Sequence, residues 1–291
     1  MVREIETILR MWPAPAKLNL FLHVTGQRPD GYHDLQTLFQ ILDWGDELCF
    51  SINDSGRISR SCNIEGIPED DDICIRAARL LMHRHGVKKG VHIDLIKNIP
   101  MGAGLGGGSS DAATVLVALN RLWSCGQTPQ QLAEAGLELG ADVPVFVHGH
   151  SALAQGRGEK LHAVTLGSRY YLLVFPEFSI STAQVFQHPE LKRDSNPVDL
   201  MNTGLRAGRN DCEAVVMKIY PQIERIMQDL SAWGRPRMSG TGSTLFLTFA
   251  DKKAAIGAAS ELKCRYNVRA VAGVDRSRLL DFSLYSGDQE N

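Results

Sequence analysis

The chain has 291 residues, 44% of them hydrophobic, with 31 Lys and Arg against 33 Asp and Glu and a formal net charge of −2. That length buries a sizeable core and suggests about two domains, while the balanced charge leaves no basic footprint for nucleic acid. No run approaches the ~20 apolar residues that span a bilayer and the first residues lack the apolar centre of a signal peptide, so a soluble, cytoplasmic protein is expected.

In chain order, Lys17 to Val24 reads as the first clear strand, with Leu18, Leu20, Leu22 and Val24 on one face and Lys17, Asn19, Phe21 and His23 on the other. On periodicity alone Lys17 is an ordinary solvated strand residue. A turn from Gln27 to Gly31 leads to Tyr32 and His33, and Leu35 to Leu42 is a further apolar segment. Asp70, Asp71 and Asp72 suit the N-terminus of a helix predicted from Ile73 to His85. Val91 to Ile96 alternates as a strand and delivers the chain into a glycine-rich run. Ser109 or Ser110 is placed to cap the next helix, which runs through Trp123 with an apolar face of Val115, Leu116, Leu119 and Leu122. Thr128, Pro129 and Gln131 form an N-cap, a first helical proline and a capping box for a helix ending near Gly140, which leaves Asp142 in a short connection.

The second half opens on a strand from Tyr170 to Phe175 and turns polar and broken from Gln187 to Asn210, the composition of a long loop. Helices are predicted over Asp211 to Leu230 and Lys252 to Leu262, with strands over Leu245 to Phe249 and Val268 to Val274. This split βαβ pattern suits a compact sandwich of helices and sheet. Six cysteines show no C-x-x-C pair and read as reduced structural thiols.

The run Pro100 to Ser110 places five glycines in the seven positions 102–108. Glycine accepts positive φ and lets the backbone approach a ligand, so successive N–H groups converge on an anion at the start of a helix. A Walker A loop would end in Gly-Lys-Ser/Thr, and here Gly108 is followed by Ser109. Gly102, Gly104 and Gly107 do satisfy G-x-G-x-x-G, yet the acidic ribose-binding residue expected about 20 positions on is replaced by a turn at Cys125 to Thr128.

The segment from Pro100 to Ala113 resembles the second motif of the GHMP kinases, the superfamily of galactose, homoserine, mevalonate and phosphomevalonate kinases. Pro15 to Leu22, followed by Arg28 to His33, resembles the opening of one branch of it; Gly140 to Pro144 is similar to its catalytic-aspartate segment and Met238 to Ser243 to its third motif. The likeness runs from Trp12 to Val274. It implies an α+β, two-domain GHMP kinase fold: a ribosomal-S5-domain-2-like ATP-binding domain over 1–160 and a ferredoxin-like substrate-binding domain over 161–291, with the active site between them.

The same resemblance implies transfer of the γ-phosphoryl group of ATP to an alcohol of a small molecule carrying a cytidine diphosphate group, a step toward isoprenoid precursors. ATP would be held by Pro100, Met101, Gly102, Ala103, Gly104, Leu105, Gly106, Gly107, Gly108, Ser109 and Ser110, with Lys97. Asp142 would accept the hydroxyl proton, and Lys17 would orient it and stabilise developing charge. Tyr32 and Phe186 would stack the cytosine and His33 would hydrogen-bond its edge, with Asn19 and Thr182 in matching segments; stacking contributes on the order of 1–3 kcal/mol per base. Mg²⁺ is expected to arrive with ATP rather than to occupy a permanent metal site. No nucleic-acid or membrane partner is expected, and the assembly is a monomer or weak homodimer. Asp72 stands where the family often has asparagine near the adenine pocket, and Arg157, in a variable stretch, receives no role. His148 and His150 are expected to share a strand face, with no third ligand to complete a zinc site.

Overall fold

A computed structural model describes residues 11–61, 68–199 and 208–283; Cys62 and 200–207 of the expected polar loop lie outside them. The chain begins with two long antiparallel strands, β1 (Trp12–Gln27) and β2 (His33–Asn53). Strand β2 organises the sheet: its C-terminal half pairs with β4 (Gly90–Ile96), its N-terminal half with β5 (Ala152–Gly156), and Ile41 and Leu42 with β10 (Asn267–Val274). Beyond β10 lie β7 (Arg169–Phe175), β9 (Leu245–Phe249) and the short β8 (Arg237–Met238). The edges are completed by β3 (Ile58–Arg60) beside β4 and β6 (Lys160–Ala163) beside β5. One ten-stranded sheet therefore runs through both halves among the described residues.

Helices α1 (Ile73–His85), α2 (Gly107–Leu122), α3 (Pro129–Leu137) and α4 (Val143–His148) build one core with β1, β2 and β4. A second core joins β7 and β9 to α5 (Thr182–Gln187), α6 (Glu213–Ile219), α7 (Pro221–Leu230) and α8 (Lys252–Leu262), and α9 (Leu279–Ser283) returns to the first. The predicted helix over Ile73 to His85 has those bounds, and the capping box at Thr128 and Gln131 is formed.

Several expectations are corrected. Strand β1 does not keep strict alternation: a register shift between Asn19 and Leu22 places Leu20 and Phe21 with Leu18 in a third core, while Leu22 and Val24 join the second. A bulge inserts a residue and re-aims the side chains beyond it. Lys17 is not solvated, being only 4% exposed, because the glycine-rich loop covers its face. Helix α2 starts at Gly107 with Gly106 as its N-cap, so neither Ser109 nor Ser110 caps it. The helix predicted from Asp211 to Leu230 breaks at Tyr220 (φ −125°, ψ 78°), since Pro221 excludes the helical conformation from the residue before it. His148 ends α4 and His150 follows a left-handed Gly149, so no strand face joins them.

Candidate active site

The glycine-rich run leaves β4, turns with Gly102, Gly104 and Gly106 at φ of 66°, 73° and 73°, and enters α2. At Gly104 no other residue fits: an added Cβ would stand 2.4 Å from the Ser239 carbonyl oxygen. The first helical hydrogen bond runs from Ser110 N–H to Gly106 O, so the N–H groups of Gly107, Gly108 and Ser109 have no intrahelical acceptor and open toward a cleft of about 770 Å³. Ser110 is fully buried behind them with its hydroxyl unpaired among the described residues, so it does not reach that cleft.

Beneath the loop, the Lys17 ammonium lies 3.2 Å from Asp142 Oδ2, 2.5 Å from Asn19 Oδ1 and 3.3 Å from Gly104 O. An ammonium has three protons, so all are committed and its direction is fixed. Asp142 occupies the N-cap position of α4 but makes no capping bond; its side chain is one-third exposed and opens to the cleft. Asn19, expected at the substrate, is 4% exposed. Its amide nitrogen donates to Thr37 Oγ1 at 2.8 Å while its oxygen takes the Lys17 proton, so it orients Lys17.

Lys97 reaches the cleft wall but is held between Asp46 and, at 2.7 Å, Asp111. Burial alone would lower this ammonium, yet the charges of Asp111 and Asp46 raise its pKa. With two carboxylates sharing one cation, burial, opposed by Lys97 and reinforced by Asp46, pushes Asp111 up to about 7. Asp72 caps α1 through the N–H groups of Cys74 and Ile75 and pairs with Arg60 at 2.9 Å, both side chains being buried. An asparagine there could cap the helix but could not neutralise Arg60.

The same cleft is also lined by Tyr32, His33, Thr182 and Phe186. His33 stacks on Phe186, ring centroids 5.2 Å apart and planes 27° apart, and the Thr182 hydroxyl lies 2.9 Å from that of Thr241. Tyr32 is 54% exposed and its ring is covered by the Arg157 guanidinium at 3.9 Å, a contact that no local sequence signal announces. Also missed were Arg193, which donates to His33 Nε2, and helix α5 itself. The helix had a signal, Ser181-Thr182-Ala183-Gln184, whose serine accepts the Gln184 N–H. Ser239 and Thr241 were visible only as members of the third motif.

Among the described residues no group of three or more His, Cys, Asp or Glu side chains could hold a metal ion. Among the oxygen donors that line the cleft, the Ser109 hydroxyl and the Asp142 carboxylate are hard ligands that suit Mg²⁺ carried mainly by phosphate oxygens. The five described cysteines are free, and no described helix is long and apolar enough to cross a membrane.

The family of GHMP kinases N terminal domains matches residues 72–150, and that of GHMP kinases C terminal domains matches 190–268. The chain is 48% identical over 272 residues to the 4-diphosphocytidyl-2-C-methyl-D-erythritol kinase of Halorhodospira halophila, spanning 92% of this chain and 94% of the relative. It is 49% identical over 240 residues to the protein of that name from Pseudomonas syringae pv. syringae, spanning 82% and 85%. A crystal structure of 4-(cytidine 5'-diphospho)-2C-methyl-D-erythritol kinase matches at a TM-score of 0.80 and 33% identity, over 91% of this chain and all 100% of the other. A mevalonate kinase crystal structure, 12% identical, shares the fold at a TM-score of 0.66 over 92% of this chain and 100% of its own.

Proposed function

The chain belongs to the GHMP kinases, and we propose that it phosphorylates the 2-hydroxyl of 4-diphosphocytidyl-2-C-methyl-D-erythritol with ATP, giving the 2-phosphate and ADP for isoprenoid precursor synthesis. The observation that carries this reading is the Lys17–Asp142 pair, 3.2 Å apart, lining one cleft together with the α2 N-terminus and the His33–Phe186 stack. One cleft thereby offers a phosphate donor and a base-bearing acceptor the same carboxylate.

Phosphoryl transfer is mainly positioning and charge stabilisation. The N–H groups of Gly107, Gly108 and Ser109 and the α2 dipole hold the phosphates. Asp142 accepts the hydroxyl proton through its exposed oxygen, while Lys17, fixed by Asn19 and Gly104 O, keeps that carboxylate oriented and lends positive charge as negative charge develops. Ser109 and Asp142 would help hold a Mg²⁺ that arrives with the nucleotide, which would supply neutralising charge at the phosphates. Tyr32, Phe186 and His33 bind the cytosine, with Thr182 beside Thr241 at the pocket edge. ATP is bound chiefly by the half over 1–160, whereas the cytidine pocket draws on both 1–160 and 161–291. Cytoplasmic placement is supported by the free thiols.

ATP-dependent ADP release with Mg²⁺ tests the reading, using the cytidyl substrate beside mevalonate, homoserine and galactose. Turnover with the cytidyl substrate alone is expected. Turnover with another acceptor instead would overturn the substrate assignment, and none with any would overturn the kinase reading.

A further inference from the structure

Arg193 stands just beyond the C-terminus of α5 and spends its guanidinium on four acceptors. Its Nη2 donates to Phe186 O and His188 O at 2.9 Å each, Nη1 to Leu191 O at 3.1 Å, and Nε to His33 Nε2 at 3.0 Å. The carbonyls at the end of α5 hold the guanidinium in place, so its plane is set before any ligand arrives. A guanidinium carries only donors and stays charged, hence His33 Nε2 must offer a lone pair. The proton of the neutral imidazole is then on Nδ1, a nitrogen with no hydrogen-bond partner among the described residues, on a ring that lines the cleft. Protonating both nitrogens would turn an N–H against Arg193; accordingly burial, aided by the Arg193 charge, lowers the His33 pKa.

From this geometry we infer that Arg193 is a positioning residue for base selection: by occupying His33 Nε2 it makes Nδ1–H a fixed donor, matched to the bare ring nitrogen of cytosine and mismatched to the ring N–H of uracil. An imidazole free to exchange its proton between nitrogens could serve either base. Arg193 therefore sets the selectivity of the pocket without touching the substrate. The inference rests on the cytidine reading above.

Two measurements test it. In the unsubstituted protein labelled with ¹⁵N-histidine, with the His33 signal assigned through His33→Gln, the shifts report which nitrogen carries the proton. Protonated Nδ1 and bare Nε2 are expected; a proton on Nε2, or an average of both forms, overturns the inference without requiring any Arg193 variant to fold. Second, kcat/KM is compared for the cytidyl substrate and its uridine counterpart in the unsubstituted enzyme, Arg193→Lys and Arg193→Met. Preference for cytidine should fall by about tenfold or more in Arg193→Met, the range of one misread base contact, with KM for ATP unchanged and partial rescue by lysine. A merely structural role would depress both substrates together, and an unchanged ratio in folded Arg193→Met overturns the inference alone. No turnover of the cytidyl substrate by the unsubstituted enzyme overturns the cytidine substrate assignment, and this inference with it.

Discussion

Ser239 Oγ donates to the carbonyl of Gly104 at 2.9 Å, joining the third motif to the phosphate loop across 135 positions of sequence. The same hydroxyl accepts, at 3.1 Å, the N–H of Asn19, the residue whose side chain orients Lys17. One small side chain therefore ties the loop, the Lys17 strand and the C-terminal half together. Ser239→Ala leaves the buried Asn19 N–H without its partner, which costs about 1–3 kcal/mol. Urea unfolding should show that loss, and steady-state kinetics should show a raised KM for ATP as the loop loosens. An unchanged unfolding midpoint would contradict the link.

Asp142→Asn removes the proton acceptor while keeping shape. Asp142 makes no helix-capping bond and is one-third exposed, and the amide oxygen of asparagine can still accept from Lys17, so the fold should tolerate the change better than the loss of a fully buried pair. A kcat lower by about 10²–10⁴ is expected, with KM for ATP little altered. Wild-type turnover in this variant would remove Asp142 from the chemistry.

Asp72→Asn separates two duties of one carboxylate. The amide oxygen can still accept the N–H groups of Cys74 and Ile75, but Arg60 is left buried and unpaired. Breaking a buried pair on one side costs about 3–5 kcal/mol, so the thermal midpoint should fall sharply. A simultaneous Arg60→Met should recover part of that loss, and a double-mutant cycle measures the coupling.

Asp111 governs a pH dependence of stability. Burial raises its carboxyl to about 7 in the folded protein from an ordinary value of 3.8, so the native state binds a proton that the unfolded chain releases between those values. Stability from this group is full at the acid end and is lost as pH rises through about 7. Asp111→Asn cannot titrate, so its stability should decline less than wild type between pH 5 and 8 in matched denaturant titrations. Parallel curves would contradict the assignment.

Local chemistry alone made several elements legible. The helix over Ile73 to His85 and the Thr128 capping box arise from short-range side-chain-to-backbone bonds, which need no distant partner. Helix α8 and strand β9 likewise keep their predicted bounds, Lys252–Leu262 and Leu245–Phe249. The break at Tyr220 was readable from Pro221 and was overlooked, as was the Ser181 start of α5.

By itself, then, the sequence determined the glycine run with its convergent N–H groups and the short-range start of each well-capped helix, because backbone sterics and capping act within a few residues. Periodicity also put Lys17 and Asn19 on one side of a strand, but only the tertiary structure decided that this side is buried. It placed Asp142 within 3.2 Å of Lys17, turned the Asn19 oxygen onto the lysine, withdrew the Ser110 hydroxyl behind the cleft and set Arg193 on His33. Those outcomes depend on a bulge in β1 and on contacts between residues far apart in the chain, and a contact between distant residues exists only once both cores have packed.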